Sequence, residues 1–292
     1  MTRWRRAAGT AVLAACAGGG SGAAVTPAPS PSVPTAVRPP GRRPVPEVVR
    51  YGPCALRYLI HRRLHIEQSF GGQQQAQDLG AHAFVSVIIS GPADSSGYPA
   101  IFSVDSMVPD SGTPQPVADN MARVRALIFT GRLAPRGEFV GAAASDTMNA
   151  QSLTQLLGNF RDFLPRIPPE GLKLGAAWTD TVAVTQRGGG GAVTRRSTVH
   201  SAAPAWEEHA GVHSLRIESS ATYSVVGSGQ NGTQPFEVRG TGTAAARTFI
   251  AEDGRFLGGE SQDSTTLTVS LPEQRLTIPV IQVLHSTVVV WP

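Results

Sequence analysis

Asp78–Ser90 reads DLGAHAFVSVIIS, and its alternation decides the fold. Leu79, Ala81, Ala83, Val85, Val87 and Ile89 fall on one side of an extended chain. A period of two sustained over this length predicts a β-strand with one buried face. Upstream, LRYLIHRRLHIEQ (Leu56–Gln68) alternates at Leu64 and Ile66. Near the C-terminus, TTLTVSL puts Thr265, Leu267, Val269 and Leu271 on one face and Thr266, Thr268 and Ser270 on the other. Strands with one apolar and one polar side are the mark of antiparallel sheets.

The turns between such strands are also written locally. Asn231-Gly232 and Asp253-Gly254 tolerate the positive φ of tight hairpins, and the glycines of RGGGGAV (Arg187–Val193) predict another hairpin loop. The interval from Thr233 to Glu252 reads as one long strand bent at Gly240 and Gly242. Long strands joined by hairpins form a meander, and glycines inside them let the sheet curl. One helix is expected within NAQSLTQLLGNFRDFLPRIPP (Asn149–Pro169). Leu153, Leu156, Leu157, Phe160, Phe163 and Leu164 make its apolar stripe, Asn149 or Asp146 caps it, and Pro165 ends it. The expected architecture is mainly β (α+β): a curved antiparallel sheet or unclosed barrel with this amphipathic helix packed on the concave face. MVPDSGTPQPVADN (Met107–Asn120) reads as an inserted loop.

The N-terminus describes an address. Arg3, Arg5 and Arg6 precede a short apolar core, Ala7–Ala15. That core suits a signal peptide and falls well below the roughly 20 apolar residues that span a bilayer. Leu13-Ala14-Ala15-Cys16 resembles the lipobox of bacterial lipoproteins, in which the cysteine thiol is acylated and becomes the first mature residue. The resemblance implies lipidation at Cys16, and a plain secretory signal is the alternative. From Ala17 to Glu47 the chain is Gly/Ser-rich and then Pro-rich, with too few large apolar residues for a core. The expected organisation is a signal peptide over 1–15, a lipidated tether over 16–47 and one β-rich domain over 48–292. Ala17 is not the aspartate that retains lipoproteins at the inner membrane in well-studied envelopes, so the resemblance implies the outer membrane.

A curved antiparallel sheet with a helix across its hollow, carried on a lipidated N-terminus, resembles the LolA, LolB and LppX group of envelope proteins, whose unclosed barrels hold acyl chains. FLPRIPPEGLKLGAAWTDTVAV (Phe163–Val184), followed by hairpins and GRFLGG (Gly254–Gly259), is similar to uncharacterised bacterial envelope lipoproteins. The candidate lining of a hydrophobic cavity is Leu153, Leu156, Leu157, Phe160, Phe163, Leu164 and Trp178; the alternative is that the stripe is buried on the sheet and Trp178 is a core aromatic.

Catalytic chemistry leaves no comparable trace. His61 and His65, like His209 and His213, are four apart. Zinc uses this spacing on a helix face, whereas these pairs fall in strands or turns and show two ligands where three or four must converge. Neither a Gly-x-Ser-x-Gly elbow nor a Ser-x-x-Lys is present, and the glycine run lacks the Lys-Ser/Thr of a phosphate loop. Asp162, Glu170, Glu207 and Glu208 show no pairing. The expectation is therefore no metal or cofactor and no enzyme, with a hydrolase a distant third behind a hydrophobic-ligand carrier and an interaction module. Three of the positives behind the formal +4 are Arg3, Arg5 and Arg6, so the chain from Cys16 carries about +1, which does not describe a nucleic-acid binder. The expected partners are the membrane, through the N-terminal lipid, and either a hydrophobic ligand or other envelope proteins. Cys54 is left as a small, partly buried apolar residue, or as the partner of Cys16 if no lipid is attached there.

Overall fold

The computed structural model describes residues 45–150, 160–188 and 190–292. In chain order its elements are β1 (Cys54–Phe70), β2 (Gln73–Ile89), β3 (Tyr98–Pro109), α1 (Gln115–Arg123), β4 (Ile128–Leu133), β5 (Phe139–Ala144), β6 (Ala177–Gly188), β7 (Gly191–His209), β8 (Val212–Asn231), β9 (Gln234–Ala251), β10 (Phe256–Leu271) and β11 (Leu276–Trp291). All eleven strands form one antiparallel sheet in the order β5-β4-β3-β2-β1-β11-β10-β9-β8-β7-β6. Two meanders thus run outward from the β1–β11 pair. The sheet stays unclosed, with β5 and β6 as its edges.

The alternation in Asp78–Ser90 has become a buried row: Ala83 and Val85 are fully enclosed, and Leu79, Ala81, Val87 and Ile89 are buried beside them. Thr265, Leu267 and Val269 are likewise buried on β10. Asn231-Gly232 and Asp253-Gly254 turn the chain from β8 to β9 and from β9 to β10. β9 is the long strand expected between them. Gly242 has a specific task there. A Cβ at that position would lie 2.2 Å from the Tyr223 ring of β8, so glycine leaves room for the ring to cross β9 toward β10.

The sheet is strongly curled. Phe102 of β3 and Phe256 of β10 are separated by four strand spacings, about 19 Å along a flat sheet. Both nevertheless touch Phe163, with ring centroids 5.5 and 5.7 Å away. Their shared cluster also takes in Tyr58, Val85, Leu133, Leu215, Ile217, Leu164, Ile167 and Leu172. The last three belong to the segment that carries the chain from edge β5 to edge β6. Tyr51 pins that segment by donating to Pro165 O at 2.6 Å, and Ile167 N donates to Arg136 O at 3.0 Å. A second apolar cluster fills the other end of the hollow, with Ile66, Leu79, Tyr223, Val238, Leu267 and Val280 among its members.

The segment over Met107–Asn120 contains more than a loop. α1 begins within it, bounded by Pro114 and Pro116, and Met121 on its inward side is buried. In nine residues only Val117 and Met121 mark the apolar side, too few turns for a periodic signal. The helix expected over Asn149–Leu164 opens with a helical turn at Thr147, where Asp146 Oδ1 accepts from Asn149 N at 3.0 Å. Leu153, Leu156 and Leu157 lie outside the described residues. Phe160–Asp162 is a single 3₁₀ turn.

Candidate functional site

The hollow of the curled sheet gathers most of the buried polar residues among those described. Between the two apolar clusters the inward rows change character. On β1, Tyr58 and Ile60 give way to Arg62 before Leu64 and Ile66. On β11, Ser286 and Gln282 precede Val280 and Ile278 along the same inward row. On β10, Ser261, Asp263 and Thr265 precede Leu267 and Val269. Asp263, Thr265, Gln282 and Ser286 are all buried. β7 and β8 complete the belt with Arg195, Ser197 and Ser201, and with Ser219 and Tyr223.

Much of the belt is bonded to itself. Arg195 donates to Asp263 Oδ2 at 2.8 Å and to Ser197 Oγ at 3.2 Å, and its guanidinium lies 3.4 Å over the Tyr223 ring. The Tyr223 hydroxyl donates to Asp263 Oδ1, and Thr265 Oγ1 reaches the same oxygen at 3.1 Å. Burial, followed by the charge of Asp263, pushes the Tyr223 phenol far above its ordinary value, so it stays a donor. Ser201 and Ser219 pair at 2.9 Å.

Arg62 stands apart from this network. Its Nε and Nη1 are enclosed and find no acceptor among the described residues, and Gln282 Oε1 on β11 likewise finds no donor. Burial pushes the Arg62 guanidinium down to about 10, with Asp263 opposing the shift, so it is charged at neutral pH. Asp263 is already committed to Arg195, which leaves the belt, among the described residues, with two guanidinium groups and one carboxylate. An uncompensated buried charge is costly. Arg62 lies on the inward row of β1, between Ile60 and Leu64.

Of the residues expected to line a cavity, Phe163 and Leu164 sit in the apolar cluster at one end of the hollow, Leu164 being buried. Trp178 packs partly buried against the same cluster, with its indole N–H enclosed and lacking an acceptor among the described residues. The Phe160 side chain, Leu153, Leu156, Leu157 and Cys16 lie outside the described residues. Arg62, Asp263 and Gln282 were not legible as site residues. The available signal was an arginine placed in phase with Ile60, Leu64 and Ile66.

The histidine pairs read from spacing are not brought together as pairs. His61 and His65 share the outward face of β1, about 13 Å apart along the strand. His209 stacks on Phe249 and His213 on Trp206. His61 instead faces His82 across the β1–β2 ladder. Asp162 pairs with Arg166 at 2.7 Å, and Glu207 with Arg216 at 2.7 Å. Burial raises the Cys54 thiol, which keeps it protonated as a packing group. A recess of about 590 Å³ opens among the hairpin tips, lined by residues including Gly190, Gln230, Phe236 and Pro272. It is wide open and gathers no cluster of titratable groups.

No family model and no curated protein matches this sequence. Solved structures with some likeness include DynF of the dynemicin biosynthesis pathway of Micromonospora chersina, at 10% identity over 86% of this chain and 92% of that one, with a TM-score of 0.23. OccK2 (OpdF) of Pseudomonas aeruginosa is 8% identical over 82% and 98%, with a TM-score of 0.24, and OpdO of the same organism 10% identical over 84% and 99%, with a TM-score of 0.23. Similarity at this level carries no argument about fold or function.

Proposed function

We propose that this chain is a lipid-anchored protein of the cell envelope, at the outer membrane, whose curled sheet shelters an amphiphile with an anionic head. The observation that carries the reading is Arg62, a charged and incompletely bonded guanidinium placed between two apolar clusters inside an unclosed sheet. Carboxylate or phosphate oxygens are the natural acceptors for its N–H groups. An acyl chain would enter by parting the two buried apolar clusters, and each methylene sheltered there would contribute about 0.8 kcal/mol.

Lipid extraction and native mass spectrometry of the purified chain should recover a bound amphiphile. A fluorescent fatty acid should bind about tenfold or more tightly than the matched alcohol, since a hydrogen bond to a charged group contributes about 1.5–3 kcal/mol. Arg62→Gln should erase that preference while leaving the alcohol's affinity unchanged. A preference that survives the substitution removes Arg62 from the site. A wild-type chain that is empty and rejects both probes overturns the carrier reading.

The outward face supports a second reading. Ile88, Ile101, Ile128, Val289 and Trp291 are each about 38–42% exposed there, and Trp291 meets Phe84 edge-to-face at 5.5 Å across β1. Such an apolar stripe suits a protein–protein contact, and an empty hollow would leave the chain as an envelope interaction module. In either reading the anchor is Cys16. Cys16→Ser removes the thiol nucleophile, so metabolic labelling with an alkyne fatty acid should lose its signal and the protein should leave the membrane fraction. Label retained by the variant would refute the lipobox.

A further inference from the structure

On the opposite face of the sheet from the hollow, the fold assembles three metal-ligating side chains that the sequence disperses over fifty positions. His61 and His82 are directly opposed in the β1–β2 register, with imidazoles stacked at 3.9 Å and 8° from parallel. Asp110, just beyond β3, bridges them: its Oδ2 is 3.1 Å from His61 Nε2 and its Oδ1 is 3.0 Å from His82 Nδ1. The three ligand atoms lie within 4.8 Å of one another.

We propose that His61, His82 and Asp110 form a binding site for a zinc-class divalent ion. Each residue type is a ligand for such ions, and three protein ligands with a position left to solvent is an established zinc arrangement. Tetrahedral bonds of about 2.0–2.2 Å place neighbouring ligand atoms about 3.3–3.6 Å apart. The two nitrogen-to-carboxylate separations, 3.1 and 3.0 Å, run to different oxygens of Asp110, so an ion held by both rings and one of these oxygens needs shifts of a few tenths of an ångström and a turn of the rings out of their stack. The ion replaces the hydrogen-bonded protons between ring and carboxylate; these leave to solvent or to the far ring nitrogen. The side chains are about 24%, 41% and 24% exposed for His61, His82 and Asp110, so the ion has an entry path.

The carboxylate is held in place by its surroundings. Asp110 N donates to Gly80 O at 2.9 Å, and Thr113 Oγ1 donates to the same carbonyl at 3.2 Å. A Cβ at Gly80 would fall 2.1 Å from Asp110 Oδ2, so the missing side chain makes the space that the carboxylate occupies. Arg63 Nε stands 4.0 Å from Asp110 Oδ2 on a side chain 72% exposed, which leaves it free to swing outward. His65 makes a useful contrast. Its two carboxylate partners, Asp78 and Glu67, sit on opposite ring nitrogens and cannot converge with it on one ion.

Calorimetric titration of Zn²⁺ into the chelator-treated full chain at neutral pH should show one saturable equivalent. Co²⁺ in its place should give a visible spectrum of nitrogen–oxygen ligation. His82→Gln and Asp110→Asn should each weaken binding by at least about tenfold, with unchanged circular dichroism. Zinc should raise the wild-type thermal midpoint by mass action and fail to raise that of either variant. His65→Gln should bind like wild type. The proposal is overturned if the wild-type chain shows no one-equivalent binding, or if both ligand variants bind as tightly as the wild type. Neither result touches the hollow, because this site lies on the other face.

Discussion

Asp263→Asn should destabilise the fold by about 3–5 kcal/mol, the cost of removing one partner from a buried ion pair. Asp263 and Arg195 meet at 2.8 Å with side chains 4% and 12% exposed, so solvent screens the pair very little. The amide keeps the shape of the carboxylate but carries no charge. Arg195 and Arg62 would then share the hollow with no anion, and Tyr223 would keep only a weaker acceptor. Urea denaturation should show the loss as a lower midpoint at unchanged slope. Glu260→Gln provides the contrast, because Glu260 and Arg247 stand 3.9 Å apart and are 68% and 52% exposed; surface pairs of this kind contribute about 0–1 kcal/mol. Arg62→Met should behave oppositely to Asp263→Asn. It removes the uncompensated charge, and in the ligand-free chain it should be neutral or stabilising. Combined with Asp263→Asn it should recover part of the loss, since the two charges interact through one belt. A cost below about 1 kcal/mol for Asp263→Asn would mean that water reaches the belt freely, contrary to the burial described.

Phe102→Ala should cost about 3–5 kcal/mol, in the range for a large aromatic removed from a close-packed core. Phe102 is fully enclosed, and its ring lies 4.8 Å from Phe139 and 5.5 Å from Phe163. It therefore joins β3, the edge strand β5 and the segment that crosses to β6. Its neighbour Ile101 points outward and is 39% exposed, so Ile101→Ala should cost well under half as much. Equal effects in the two variants would show that the outward face of β3 is also covered, which would strengthen the interaction-module reading.

Legibility followed the range of each interaction. Alternation in Asp78–Ser90 and Thr265–Leu271 showed which faces are buried, because side-chain direction along a strand depends only on residue parity. Asn231-Gly232 and Asp253-Gly254 showed where neighbouring strands turn, because a tight hairpin is decided by residues that tolerate its dihedrals. α1 escaped notice because two apolar residues cannot establish a period. His82 escaped as the partner of His61, although the two are equidistant from Gly71-Gly72, the turn between β1 and β2. The tight Gly71-Gly72 turn sets that register.

The strands at Asp78–Ser90 and Thr265–Leu271, their inward faces and the hairpin turns at Asn231-Gly232 and Asp253-Gly254 were determined by local chemistry alone: parity and turn dihedrals. Only the tertiary structure decided that β1 pairs with β11, since no local signal links Arg57 to Trp291 across the whole domain. The curl that follows places Phe102 and Phe256 on one ring, and it encloses Arg62 with Asp263 and Gln282. Asp110 joins His61 and His82 on the outward side of the first hairpin only because β3 pairs on β2. An arginine on a strand has the same residue type whether its row faces solvent or a hollow. What differs is the dielectric and the set of groups around it, and those are made by distant strands arriving together.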